Sequence, residues 1–394
     1  MNICIVTHER FGPQKGGVES VCYILASEIH KLQCHNIYHL YQYDSGTIDI
    51  PYVIAQQLPS ASDDDAIDKI HQFISENKID ILWNHSPSVK YLPLFKNAIK
   101  NLDTRIVSIY HNMPNGHIAE LRDRISLSIY QFIHKKKILP LIFNFIKYPL
   151  SYFRARNRIK TLMQGMVDNS DKVCMLSEYY CTYLKNIIEK KKFEKITHIN
   201  NPLIAIKDDD VRYTKRNQII VVARHVWKHK RIDRMLHIWK TICNDVPDWE
   251  LLILGDGPDH NDYIELANNL HLSNIRFLGM VNPTPYYKEA KIICMTSTWE
   301  GLPMVLIEAQ QYGCVPIAYE SFAALADIIE NGKTGYKIPP YKRAIFVQKL
   351  LQLVNNEQER EQMSQNCIVH SKNFQAENIA KQWLNLFQDI LNRR

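Results

Sequence analysis

Short apolar runs alternate with helix-length amphipathic stretches along the whole chain, and no other feature restricts its fold as much. In the first half "NICIVT", "NIYHLY", "YVIA", "IDILWN", "RIVSIYH", "KVCMLS" and "KITHIN" read as strands. In the second half "QIIVVA", "WELLILG", "IRFLG", "IICMTS" and "VPIAY" do the same. That alternation predicts parallel βαβ units rather than a helical bundle or a sandwich. Each half reads as a doubly wound α/β sheet. At 394 residues the chain is longer than one core usually grows, so two domains are expected.

Between the halves, "NNPLIAIKDDDVRYTKRN" has a proline, mixed charges and little periodicity, as a linker does. The boundary is placed near Leu203. This gives a first domain over 1–203, a second over 204–376 and a terminal amphipathic helix over 377–394, with Ile379, Trp383, Leu384, Phe387 and Leu391 at helical spacing. The net charge of +7 is local, because 124–167 holds nine Lys or Arg and no Asp or Glu. The remainder is slightly acidic, and with no recognition motif beside the charge, nucleic acid is not an expected partner. Nine cysteines form no CxxC pair or Cys/His cluster, which suits buried thiols in a reducing cytosol. The start, "MNICIVTHERFG", reads as a first strand and not as an export leader. No stretch of eighteen residues is free of charged or strongly polar side chains, which argues against a spanning helix.

The stretch "STWEGLPMVLIEAQQYGC" carries Glu300 and Glu308 with seven residues between them. Pro303 suits the first position of a helix and Gly313 its end, with Pro316 beyond. Glu300 then sits in the loop at the carboxyl end of a parallel strand, where open α/β sheets bind ligands, and Glu308 lies inside the helix. Free N–H groups in "GLPMV" suit phosphate or sugar oxygens, whereas carboxylates there suit hydroxyls. A nucleotide sugar offers both. Taken alone, Glu300 reads equally well as a solvated loop residue, and Glu308 as a helix residue paired with a lysine. Other strand ends add to the functional reading: "VVARHVWKHKRID" places Arg224 and Lys230 after a strand, "ILGDGPD" supplies a turn with Gly255, and "RFLGMV" ends where backbone groups suit a flat base.

These residues resemble the retaining GT-B glycosyltransferases of the "glycosyl transferases group 1" family. The match runs from "QIIVVARHVWKHKRID" through "LLILGDGP", "IRFLGMV" and "STWEGLPMVLIEAQQYGCVPIAYESFAALADIIENGKTGYKI", essentially the whole second domain. It includes the family's E-x7-E element as Glu300 and Glu308. The first half matches more loosely, through "GPQKGGVES", "IYHN" and "SEYYCTYL". The resemblance implies two Rossmann-like doubly wound domains facing a central cleft, with the C-terminal helix returning towards the first. It implies that Arg224 and Lys230 hold the donor diphosphate, that Glu308 binds the ribose hydroxyls and that Glu300 binds those of the transferred sugar. By the same resemblance, Gly301, Leu302, Pro303 and Met304 touch sugar or phosphate, Met280 meets the base, and Gly255 lies on the donor side. Gly16 and Gly17 let the first-domain loop approach the phosphates, and His111 faces the reacting sugar. Two positions depart from the pattern: the usual Gly before the arginine is Ala223, and the usual Gly after the lysine is Arg231, to which no role is assigned.

The expected function is that of a retaining glycosyltransferase moving a hexose-type sugar from a nucleotide diphosphate to a glycan acceptor. That acceptor is expected to be lipid-linked, as in cell-surface polysaccharide or lipopolysaccharide biosynthesis. Cations and helix-end N–H groups would stabilise the departing diphosphate, one such donor contributing about 10²–10³ in rate. His111 alone also reads as a core histidine, and His8 is an acceptor-side candidate. No metal or cofactor is expected: the "DDD" at 63–65 opens a helix, and the one at 208–210 falls in the linker. The basic aromatic insert at 124–167 suits the interface of an anionic membrane, against the alternative that it packs on the first domain. The expected location is cytoplasmic, peripheral on the inner membrane face. The rivals are a nucleotide-sugar epimerase of the same architecture and a non-catalytic partner that binds nucleotide sugar or membrane. "GPQKGG" is not G-x-G-x-x-G, so an NAD enzyme is not expected.

Overall fold

The computed structural model describes residues 1–12, 17–32, 35–44, 46, 49–86, 88, 90–135, 138–206 and 214–393. In chain order the first elements are β1 (Asn2–Glu9), α1 (Gly17–Lys31), β2 (Asn36–Tyr43), β3 (Val53–Gln57), α2 (Ala66–Glu76), β4 (Ile81–Asn84), α3 (Tyr91–Ala98) and β5 (Arg105–Tyr110). Then come α4 (Gly116–Lys135), α5 (Ile138–Asn169), β6 (Lys172–Met175), α6 (Glu178–Lys185) and β7 (Ile196–His198). The strands form a parallel sheet in the order β3-β2-β1-β4-β5-β6-β7. Ile3 to Val6 of β1 are fully buried without alternation, as expected where helices cover both faces of a parallel sheet.

The second sheet has the order β10-β9-β8-β11-β12-β13. It is built from β8 (Arg216–Val222), α7 (Trp227–Lys230), α8 (Ile232–Ile242), β9 (Glu250–Leu254), α9 (His260–Asn269), β10 (Ile275–Gly279), α10 (Thr284–Glu289) and β11 (Ala290–Met295). It continues through α11 (Met304–Gln311), β12 (Val315–Tyr319), α12 (Leu325–Ile328), β13 (Tyr336–Ile338), α13 (Arg343–Asn355), α14 (Glu357–Ser371) and α15 (Ala376–Asn392). Every strand expected from the sequence is present. The three-residue edge strand β13 is additional, being too short to show a period.

Two compact units result: 1–114 with 156–204 and 374–394, and 115–155 with 205–373. The terminal helix α15 packs within the first unit, where Trp383 and Phe387 lie 4.8 and 5.1 Å from Trp83 of β4, ring centre to ring centre. Leu203 bonds to Phe374 and Ala376 through its N–H and carbonyl, so the chain re-enters this unit beside the point where it leaves. The insert departs from the sequence reading. That reading places 124–167 whole in the first domain, whereas α4 and the start of α5 belong to the second unit. The physical reason is a buried carboxylate on α4, Asp123, which pairs with Arg231 and Arg234.

Candidate active site

The strand order of the second sheet reverses between the parallel neighbours β8 and β11, and the loops leaving these strands part at the point where doubly wound sheets take ligands. Backbone bonds tie the carboxyl-end loops together. Ala223 N–H donates to the Leu254 carbonyl at 3.0 Å, His225 N–H to Asp256 at 2.8 Å and Gly255 N–H to Gly279 at 2.8 Å, joining the loops after β8, β9 and β10. Thr298 N–H donates to the His229 carbonyl at 2.8 Å, and Ser321 Oγ to the Ser297 carbonyl at 2.6 Å, adding those after β11 and β12. A surface hollow bordered by Arg216, Trp249 and Asn274 lies at the amino-terminal ends of β8, β9 and β10 and contains none of the expected site residues.

Lys230 and Glu300 meet across the reversal, with Nζ 2.7 Å from Oε1. His229 donates from Nε2 to the Trp299 carbonyl at 2.7 Å and stacks on the Trp299 ring at 4.0 Å. The same nitrogen is 3.7 Å from Glu300 Oε2. Burial alone would raise the Glu300 carboxyl. Lys230 and His229, with hydrogen bonds from Lys230 and Ser297, outweigh it and hold the group below its ordinary range. An ionised Glu300 is an acceptor only, suited to hydroxyl groups.

Glu308 lies in α11, and its Oε2 accepts from the Tyr287 hydroxyl of α10 at 2.9 Å. Burial raises this carboxyl. Its partner is thus a tyrosine, not a lysine, and among the described residues no ion pair joins it to Arg224 or Lys230. The Arg224 side chain is exposed and has no carboxylate partner among the described residues. Met280, just past β10, is 76% exposed. Helix α11 starts at Met304, one residue later than expected, with Pro303 as its N-cap and no side-chain cap. Pro303 thus gives the first turn no side-chain cap, and that turn lies beside half-buried Gly301 and buried Leu302.

In the first unit His111 follows β5, with Nε2 2.9 Å from His85 Nδ1 and the rings stacked at 5.1 Å. Burial lowers the His111 pKa to about 4, so the ring is neutral near pH 7. His8 is exposed, its Nδ1 3.1 Å from Gln42 Oε1. Gly17 opens α1 at φ +61°; Gly16 lies outside the described residues. Of the two "DDD" runs, 63–65 precedes α2 and Asp65 pairs with Lys69 at 2.8 Å, while 208–210 lies outside the described residues.

Sequence reasoning missed His229, Trp299 and Asp123. The one available signal was Arg231, a charged residue in a place where the family has glycine: it adopts φ +49°, and its side chain is buried against Asp123 and Asp233.

Residues 204–369 match the family model described as glycosyl transferases group 1. The chain is 31% identical over 251 residues to the amylovoran biosynthesis glycosyltransferase AmsD of Erwinia amylovora, covering 61% of this chain and 67% of that one. It is 24% identical over 229 residues to a Campylobacter jejuni α-1,4-N-acetyl-D-galactosaminyltransferase acting on a diphospho-undecaprenol-linked glycan, covering 58% and 60%. Among solved structures, Anabaena HepE in complex with UDP and glucose superposes with a TM-score of 0.70 at 14% identity, covering 99% of this chain and 100% of that one.

Proposed function

The chain belongs to the glycosyl transferases group 1 family of GT-B glycosyltransferases, and on that premise we propose that it moves a hexose-type sugar, with retention, from a nucleotide diphosphate to a lipid-linked glycan in cell-surface polysaccharide or lipopolysaccharide assembly. The observation that carries the donor half of this reading is the Lys230–Glu300 pair at the sheet reversal. Lys230 has three N–H donors and gives one to Glu300, so the others are available to a diphosphate. The second oxygen of Glu300 accepts a sugar hydroxyl, and the second oxygen of Glu308 accepts from the ribose. Arg224, Lys230 and the N–H groups at the start of α11 stabilise the charge that develops on the departing diphosphate. Neither glutamate acts as a nucleophile in this reading, and no metal is required.

The acceptor half is supported by the relatives named for amylovoran biosynthesis and for a diphospho-undecaprenol-linked glycan. It is also supported by the exposed apolar residues of α5, which suit an anionic membrane surface. The test is transfer from a panel of nucleotide sugars after thermal-shift selection of the donor, since a ligand that binds the native state raises its stability. Glu300→Ala is expected to lose about 10²–10³ in transfer rate, the range for one preorganised group, with its melting profile retained. Normal turnover in that variant would remove the assignment, and an isomerised donor formed without acceptor would replace it with an epimerase.

A further inference from the structure

We propose that Asp123 is a positioning residue for the Lys230–Glu300 pair, acting through Arg231. The proposal rests on the donor-site reading above. Asp123 sits on α4, is 3% exposed, and accepts from both Arg231 and Arg234; the Tyr341 hydroxyl is 3.4 Å away. Arg231 is the residue directly after Lys230. Its backbone holds φ +49° and ψ 45°, a left-handed conformation that a Cβ disfavours. Two sets of contacts keep it there. Its guanidinium forks onto Asp233 at 2.9 Å through both Nε and Nη2 while Nη1 reaches Asp123, and its carbonyl accepts from Thr296 Oγ1 at 2.9 Å. Arg234 donates in turn to the Thr296 carbonyl at 3.2 Å. The loop carrying Lys230 and the loop leading to Glu300 are therefore clamped to each other by groups that converge on one carboxylate.

The same helix meets these loops at a second point. A Cβ on Gly116, at the start of α4, would stand 3.1 Å from the Trp299 ring, and that ring stacks on His229. So α4 touches the residue before Glu300, and through Arg231 it restrains the residue after Lys230. A helix from the first half of the sequence thus sets where an ion pair formed by the second half can stand. Two arginines against Asp123 and Asp233 leave this buried cluster balanced in charge, and a carboxamide in place of Asp123 would not.

The test compares donor and acceptor KM in Asp123→Asn, Asp123→Glu and Arg231→Gly. Glycine accepts φ +49° without strain, so Arg231→Gly removes the guanidinium while leaving the backbone geometry accessible. Asp123→Asn and Arg231→Gly are expected to raise donor KM about tenfold, equivalent to about 1.4 kcal/mol, with acceptor KM unchanged. Asp123→Glu is expected to recover most of the loss. Unchanged donor KM in folded variants, or parallel rises in both KM values with a lower melting temperature, would overturn the proposal. Should Asp123→Asn and Arg231→Gly both fail to fold, Arg231→Lys, which keeps the charge but not the fork, decides between an intermediate donor KM and no effect. Lys230→Ala and Glu300→Ala separate the two levels: if they transfer normally, the donor-site reading fails, and if they lose transfer while Arg231→Gly keeps its donor KM, only the role of Asp123 does.

Discussion

Gly255 and Arg231 occupy the same kind of backbone position for opposite reasons. Gly255, at φ +117°, has the Ala223 carbonyl oxygen 2.0 Å from where a Cβ would stand, so a side chain there must push the loops after β8 and β9 apart. Gly255→Ala is expected to cost about 1–3 kcal/mol, the usual range for overpacking a tight site, read as a lower melting temperature together with a smaller thermal shift on adding donor. An unaltered melting curve would show that the loops yield freely. Arg231 holds its own left-handed backbone by side-chain contacts that glycine could not make. The sequence showed both residues, and the departure at Arg231 was plain against the family pattern. What it withheld was their partners: Asp123 lies 108 positions away from Arg231, and Tyr287, not a lysine, holds Glu308. Contacts at such separations leave no local pattern to read.

Helix α5 is the element whose surface least resembles that of an ordinary soluble helix. Leu139 and Ile146 are 78% and 73% exposed, and Phe143, Phe145, Leu150 and Phe153 are each more than half exposed. Lys147 lies over the Phe143 ring at 3.9 Å, and Arg154, Arg156, Arg158 and Lys160 follow on the same helix. No helix among the described residues is long and apolar enough to cross a membrane, and Pro149 lies within this one, so the geometry suits lying along a surface. Sedimentation with anionic vesicles at low salt is expected, and release as salt rises, because each cation near such a surface contributes about 1 kcal/mol that ions screen. Equal recovery in the supernatant with and without vesicles would reject the membrane role. The sequence announced the basic and aromatic character of this segment. It did not announce that α4 and the start of α5 join the second unit, because the contacts that hold α4 there, Asp123 with two arginines and Gly116 against Trp299, are distant in sequence.

At the scale of the molecule, buried histidines make stability depend on pH. Burial lowers the pKa of His39 to about 3 and of His111 and His225 to about 4, whereas in an unfolded chain they titrate near 6.5. Between those values the unfolded state binds more protons, so stability is complete above about pH 6.5 and falls as the pH drops towards 4. Glu308, with its raised carboxyl, works in the opposite direction but is a single group. The melting temperature is therefore expected to fall steadily from pH 7 to pH 4.5, and a flat profile would show that these rings become solvated in the folded state. Local sequence carries the alternation of strands and helices, the division into two sheets and the residue types that gather at the carboxyl ends of the second. Strand burial, turn residues and helix ends are local properties, carried by neighbouring side chains. Contacts between residues distant in sequence set which half of the chain owns α4, that Lys230 closes on Glu300, and that His229, Trp299 and Asp123 stand around them. Those outcomes depend on burying charges in pairs, and a charge finds its partner through space rather than along the chain.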